Sequence, residues 1–329
     1  MARAFTWIVL LMGICQLNTI VVGQSTTGIT GKTDTSYTTY KAFLYDKKSH
    51  PEIEIVPGFN YSDVKITQQV IYCEQAERKL VTDVFEPTKK KNAGTAIIIV
   101  HGGGWRSGSR TQHWPLAESL AHLGYTCFTP EYRLSTEALF PAAVYDVKAA
   151  IRWVKSNASH YNIDTSRIAI AGFSAGGELA AFMGTTGNMP LFEGANCNTS
   201  SSSKLNAVID IDGTLSFVHP EGREGDDSKS VSAGTYWFGY SKKQNPVLWQ
   251  AASPLSYTDS CTPATLFINS SLPWMHAGRE DYIKILDSYH VYHEVHNFEQ
   301  APHSFCLYKP WFEPTVAYID KFLQKVFKD

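Results

Sequence analysis

Several signals that would fix a function at once are missing from this sequence. Charge is nearly balanced, with 29 Lys and Arg against 31 Asp and Glu, so nothing electrostatic points to nucleic acid or to an anionic membrane surface. The six cysteines form no CxxC pair and no zinc-site spacing. There is no internal repeat. No apolar run spans a membrane: Ile8 to Ile14 is too short, and Gln16 and Asn18 break the stretch beyond it. The remaining composition is that of a soluble globular protein, 43% hydrophobic and 18% charged over 329 residues, long enough to bury a substantial core. Length alone allows two domains, although a single α/β domain of this size is common.

Aromatics are plentiful, at 17 Tyr, 17 Phe and 8 Trp. Most serve as core packing, and a minority at a cleft would suit sugar rings. The first 23 residues read as an export signal: Arg3 supplies the positive end, Ile8 to Ile14 the apolar stretch, and Val21-Val22-Gly23 a small-residue cleavage site before Gln24. Cys15 raises a lipoprotein alternative, but Met12-Gly13-Ile14 matches a lipobox poorly. A periplasmic or extracellular location is expected. Five cysteines lie beyond the signal: Cys73, Cys127, Cys197, Cys261 and Cys306. An oxidising compartment permits disulfides, and the odd count leaves at least one thiol unpaired. Their pairing is not deducible.

Residues 24–50, rich in Thr, Ser, Lys and Tyr, read as a linker or surface arm. From 51 to 329 short β runs alternate with helical patterns, the signature of an α/β fold with a mostly parallel sheet covered by helices on both faces. Val64 to Cys73 and Lys79 to Phe85 predict an antiparallel opening pair. Strands come next at 96–100, 125–131, 168–173, 205–211 and 264–269, those at 96–100 and 168–173 expected to be buried, with a last strand at 292–298. Helices are expected at 112–123, from Pro141 onward, at 175–184, 279–289 and 313–327. The long polar and aromatic segment 213–249 reads as an insertion that caps or borders the site.

Gly172-Phe173-Ser174-Ala175-Gly176 fits G-x-S-x-G between a predicted buried strand and a helix, the context in which the pentapeptide presents a nucleophilic serine on a sharp turn. The alternative is a serine that merely caps a helix. His101-Gly102-Gly103-Gly104-Trp105 comes directly after the 96–100 strand, and its glycines let backbone N–H groups approach a developing oxyanion. The expected donors are the amides of Gly103, Gly104 and Ala175. A serine hydroxyl needs an imidazole to remove its proton. Of 11 histidines, His303 has the right address, between the last strand and the last helix.

With HGGGW, Glu131-Tyr132-Arg133-Leu134, GFSAGG, Ala252-Ser253-Pro254-Leu255 and APHSF, the chain resembles the hormone-sensitive-lipase-like and carbohydrate-esterase branch of α/β-hydrolases over about residues 60–328. The resemblance is to exported bacterial esterases that remove acetyl, feruloyl or methyl esters from plant polysaccharides, pectin methylesterases of this fold among them. It implies a serine carboxylesterase that works without metal or organic cofactor.

One departure matters. Such enzymes usually carry the triad acid just after strand seven, where this chain reads Asn269-Ser270-Ser271-Leu272-Pro273-Trp274. Asp212, at the end of strand six, is the favoured replacement, a position used by some lipases of this fold. Glu280 is second and Asp281 third, because acids are common in any first helical turn. Arg106 and Arg110 come just after the glycine turn, and arginine's planar fork suits a carboxylate; Arg106 is the better candidate for a pectic uronate, with Trp105 as an apolar wall. Each arginine equally fits a solvated surface residue or an internal ion pair. The substrate expected is an esterified polysaccharide or oligosaccharide, with pectin methyl ester first. An acetyl- or feruloyl-esterase acting on xylan or pectin is the alternative. A peptidase of the same fold is a distant one, as is an inactive carbohydrate-binding homologue.

Overall fold

Four successive parallel strands at the centre of the sheet are buried at every position, which a strand reaches only when both its faces are covered. They belong to a computed structural model that describes residues 23–328 apart from 33, 76–77, 89–93, 188 and 196. The export signal read at residues 1–23 lies, but for Gly23, outside the described residues.

The main sheet has eight strands: β1 (Val64–Gln75), β2 (Arg78–Pro87), β3 (Ala96–Val100), β4 (Thr126–Pro130), β5 (Ile168–Phe173), β6 (Ala207–Ile211), β7 (Ala264–Asn269) and β8 (His293–Asn297). Their spatial order is β1-β2-β4-β3-β5-β6-β7-β8. β1, β2 and β4 pair antiparallel and all later pairings are parallel. The expected α/β architecture with its antiparallel opening pair is the one observed.

Helices flank the sheet: α1 (Thr39–Asp46), α2 (Trp114–His122), α3 (Ala142–Ser156), α4 (Ala175–Thr185), α5 (Ala233–Phe238), α6 (Pro246–Ala251), α7 (Arg279–Ser288) and α8 (Phe312–Val326). Side chains alternate across β3 as a strand's period of two demands. Ile98 and Val100 join the core under α3 and α4, with Val147, Ile151 and Leu179. Ile97 and Ile99 join the opposite core under α2 and α8, with Leu120, Ile319 and Phe322.

Two features differ from the reading of the sequence. The helix expected at 112–123 begins as a 3-10 turn, Arg110–His113, and becomes α-helical only around Pro115, which fits a helix start because its missing N–H has no intrahelical partner there. The arm contains α1, N-capped by Thr38, whose side chain accepts from the Lys41 N–H. The 213–249 segment is aromatic inside: Phe217, Trp237, Phe238 and Trp249 are fully buried and pack edge-to-face or tilted on one another. No helix among the described residues is long and apolar enough to cross a membrane.

Candidate active site

Parallel strands deliver their C-terminal ends to one edge of the sheet, and that edge is where crevices form in such folds. Ser174 comes directly after β5. Its backbone sits at φ 56°, ψ −120°, a strained conformation for a residue with a side chain, held by Ser174 N–H to Ile211 O (2.9 Å) on β6 and Glu178 N–H to Ser174 O (3.0 Å) in α4. The turn is so tight that a β-carbon at Gly172 would lie 1.9 Å from the Gly176 carbonyl oxygen. Glycine there is a steric requirement.

His303 lies in the loop between β8 and α8. Its ring packs on Phe173, centroids 4.8 Å apart, so the variable residue of the G-x-S-x-G pentapeptide also positions the imidazole. Nδ1 is 2.6 Å from Asp212 Oδ2 and Nε2 is 2.8 Å from Ser174 Oγ. An ionised carboxylate only accepts, so Nδ1 carries the proton it donates, and Nε2 is left to accept from the serine hydroxyl.

Asp212 directly follows β6 and is buried. Because β6 and β7 are adjacent and in register, with Ile211 opposite Ile268 and Asp212 N–H donating to Ile268 O (3.0 Å), the turns after the two strands lie side by side. Ser270, in the turn that lacks a carboxylate, gives its N–H (3.0 Å) and Oγ–H (2.7 Å) to Asp212. His276 Nδ1 adds a longer contact at 3.4 Å. Burial alone would raise the Asp212 carboxyl, but the hydrogen bonds from His276, His303 and Ser270 and the His303 charge outweigh it and hold the group well below the usual carboxylate range. Sequence reasoning missed Ser270 and His276. The only available signal was two polar side chains flanking the turn beside the acid.

The alternative acids are engaged elsewhere. Glu280 is exposed and paired with Arg279 at 2.6 Å. Asp281 pairs with Lys284 (2.8 Å) and His219 (3.4 Å).

A cavity of about 240 Å³ opens beside Ser174, lined also by Gly104, Trp105, Ala175, Asp212, Thr214, Arg223, Glu224, Trp274, Met275 and His303. Gly103 has φ +120°, and a β-carbon on it would meet the Ser107 carbonyl oxygen at 2.2 Å. No hydrogen bond among the described residues uses the N–H of Gly103 or Gly104. Ala175 is the first residue of α4, so its N–H has no intrahelical partner. Gly104 and Ala175, two of the three expected donors, line the cavity, and Gly103 precedes Gly104 in the turn.

Trp105 is 4% exposed, stacks on Trp237 at 4.8 Å and donates Nε1–H to Glu178 (2.9 Å); it touches the cavity but chiefly packs beneath it. Arg106 faces the arm instead of a substrate. Its Nε bonds Asp34 (2.8 Å), its Nη1 bonds Gly28 O (3.0 Å), and its guanidinium lies over Tyr236. The reason is that the arm runs directly over the glycine turn and supplies acceptors first. Arg110 is likewise paired, with Asp83 at 2.8 Å. A second, larger cavity of about 710 Å³ shares Trp274, Met275 and His303 with the first and is walled on its far side by Tyr37, Lys41 and Tyr45 of the arm. Among the described residues no group of three or more His, Cys, Asp or Glu side chains is placed to hold a metal ion.

Residues 82–272, more than half of the chain, match the BD-FAE family model. Among curated proteins, esterase LipC of Mycobacterium tuberculosis is 37% identical over 128 residues, 39% of this chain and 31% of that protein. Esterase LipQ of the same organism is 32% identical over 173 residues, 51% of this chain and 39% of that protein. The chain thus spans about a third of the length of the curated relatives it matches. Of solved structures, a truncated carbohydrate esterase from gut microbiota superposes with a TM-score of 0.67 at 24% identity, covering 82% of this chain and all of that one. An esterase from Thermogutta terrifontis gives 0.64 at 23% identity, covering 83% and 96%. These likenesses carry the fold.

Proposed function

The chain belongs to the BD-FAE family, in the esterase branch of the α/β-hydrolases, and on that premise we propose that it is a serine carboxylesterase acting on carbohydrate esters. The observation that supports this reading most directly is the continuous hydrogen-bond path from Ser174 Oγ through His303 to Asp212 at the floor of an open cavity. Ser174 Oγ attacks the ester carbonyl while Nε2 of His303 takes its proton. The oxyanion is held by the amides of Gly103, Gly104 and Ala175. The alcohol leaves with the proton from Nε2, and a water activated by the same nitrogen hydrolyses the acyl-enzyme. Asp212 keeps Nδ1 protonated and stabilises the imidazolium.

The finer reading is a small ester of a plant polysaccharide, a methyl ester of pectin first and an acetyl ester second; the modest cavity beside Ser174 suits the small half of either, the methoxy group of the one or the acetyl group of the other. Arg106 lends the pectin reading no support, since its donors serve the arm. Export is proposed from the composition of residues 1–23.

The test is labelling by a fluorophosphonate probe together with release of methanol or acetate from methylated and acetylated pectin. Labelling and release by the wild type, both abolished in Ser174→Ala, are expected. If the wild type is unlabelled, or Ser174→Ala still turns over, the serine mechanism is wrong. Methanol alone selects the methylesterase, and acetate alone the acetylesterase.

A further inference from the structure

Arg223 stands apart from the other arginines. Every other arginine among the described residues has an ion-pair partner. Arg223 has none among them: its guanidinium lies over the ring of Trp274, 3.7 Å from the centroid, at the wall of the cavity that holds Ser174, and its side chain is exposed. Stacking occupies the face of the guanidinium and leaves its N–H edges pointing outward, the arrangement that suits bidentate capture of a carboxylate.

The neighbouring acids do not neutralise it. Glu224, in the same cavity, accepts from the Gly234 N–H (2.6 Å) and faces the Lys242 charge, burial raising its carboxyl against both. Glu221 is taken by His219 (3.3 Å) and the Gly278 N–H (3.3 Å). Asp212 is saturated by His303, Ser270 and His276. A cation seated on an aromatic ring at the wall of the site, without an ion-pair partner among the described residues, is an electrostatic vacancy of one sign.

We propose that Arg223, braced by Trp274, is the specificity-determining residue of this cavity, and that the substrate is an ester of an acidic sugar chain in which a uronate carboxylate lies close to the scissile ester. The inference rests on the esterase reading and narrows it. The larger cavity beyond Trp274 and Met275 gives the chain's neighbouring sugars room, with Tyr45 and Lys41 on its far wall.

The experiment is a calorimetric titration of the full protein with trigalacturonate and with neutral xylotriose, for the wild type, Arg223→Gln and Arg223→Lys. Turnover of p-nitrophenyl acetate by the wild type is measured beside it. Trigalacturonate should bind the wild type more tightly than xylotriose. Arg223→Gln should weaken trigalacturonate by about 10- to 100-fold, the size expected when a charge-assisted bidentate contact is lost. Arg223→Lys should fall between, because it keeps the charge and loses the fork. Raising the salt concentration should erode the wild-type preference. Equal affinities for the two sugars, or an unchanged trigalacturonate affinity in Arg223→Gln, overturns the proposal. Absence of p-nitrophenyl acetate turnover in the wild type overturns the esterase reading instead.

Discussion

Asp212 receives more hydrogen bonds than orienting one imidazole requires. His303 takes Oδ2 at 2.6 Å, while Ser270 donates to both oxygens and His276 approaches Oδ1. This satisfaction is what allows a carboxylate to stay ionised at zero side-chain exposure. If its role is that of the triad acid, removing the charge while keeping the shape should leave the fold intact and cripple turnover. Asp212→Asn is therefore expected to lower kcat by about 10⁴-fold, with His303 left in the wrong tautomer. Glu280→Gln, which loses only an exposed pair with Arg279, should change kcat by no more than about twofold. Steady-state kinetics on p-nitrophenyl acetate, with circular dichroism as the folding control, separates the two. A crippled Glu280→Gln beside a healthy Asp212→Asn would move the acid to the start of α7.

Whether an element could be read from the sequence depended on whether its signal was local. β5, β7 and α4 declare themselves because a strand covered on both faces must be apolar throughout, and a helix entered through Gly-Phe-Ser-Ala-Gly must be small at its start. Ser174, His303 and the glycine amides inherit that local legibility. The placement of Asp212 was only half legible, since it depends on β6 and β7 being neighbours in register, a tertiary fact. Arg106 was left open between a substrate contact and an ion pair for a similar reason: its partner Asp34 lies 72 residues away, in the arm. Arg223 gave no local sign at all, because its stacking partner Trp274 comes from a different crossover. The disulfide belongs to the same class. Cys73, in β1, is bonded to Cys197 across a separation of 124 residues, beside the small cluster of Tyr72, Leu80, Ala149 and Ala150. Closing so long a loop removes much unfolded-chain entropy, so the double variant Cys73→Ser, Cys197→Ser should lose about 2–5 kcal/mol of stability. Urea denaturation with and without reductant measures it. Reductant should lower the wild-type midpoint and leave the double variant unmoved; a wild-type midpoint indifferent to reductant would sink the idea.

Among the described residues, two buried carboxyls outside the catalytic path each leave one oxygen without a hydrogen-bond partner. Glu178, in the first turn of α4, gives Oε2 to Trp105 Nε1–H (2.9 Å), while its Oε1 has no partner among the described residues. Asp210, in β6, gives Oδ1 to the Gly213 N–H (2.8 Å), and its Oδ2 likewise has none. Burial drives both well above the usual carboxylate range, and the charge of Asp212 adds to the effect on Asp210. The folded chain thus keeps protons that the unfolded chain releases once pH passes about 4. With more protons bound in the folded state, stability falls as pH rises from the ordinary carboxylate value toward the raised folded one, by about 1.4 kcal/mol per pH unit for each group. Asp212 works in the opposite direction and in a different window: its contribution is complete above the ordinary value and is lost only as pH drops through its depressed folded value. Between mild acid and neutrality Glu178 and Asp210 pull stability down as pH rises, as do the raised carboxyls of Glu224 and Asp46, while His101 and His113, whose folded values burial lowers to about 4 and about 3, pull it up until pH passes the ordinary imidazole value of about 6.5. Glu178→Gln keeps an oxygen for Trp105 and has no proton to lose, so its urea midpoint should decline less than the wild type's between about pH 5 and about pH 8. Equal declines in the two proteins would mean that Glu178 is already ionised in the fold, and that the aromatic layer of Trp105 and Trp237 above it tolerates a buried charge.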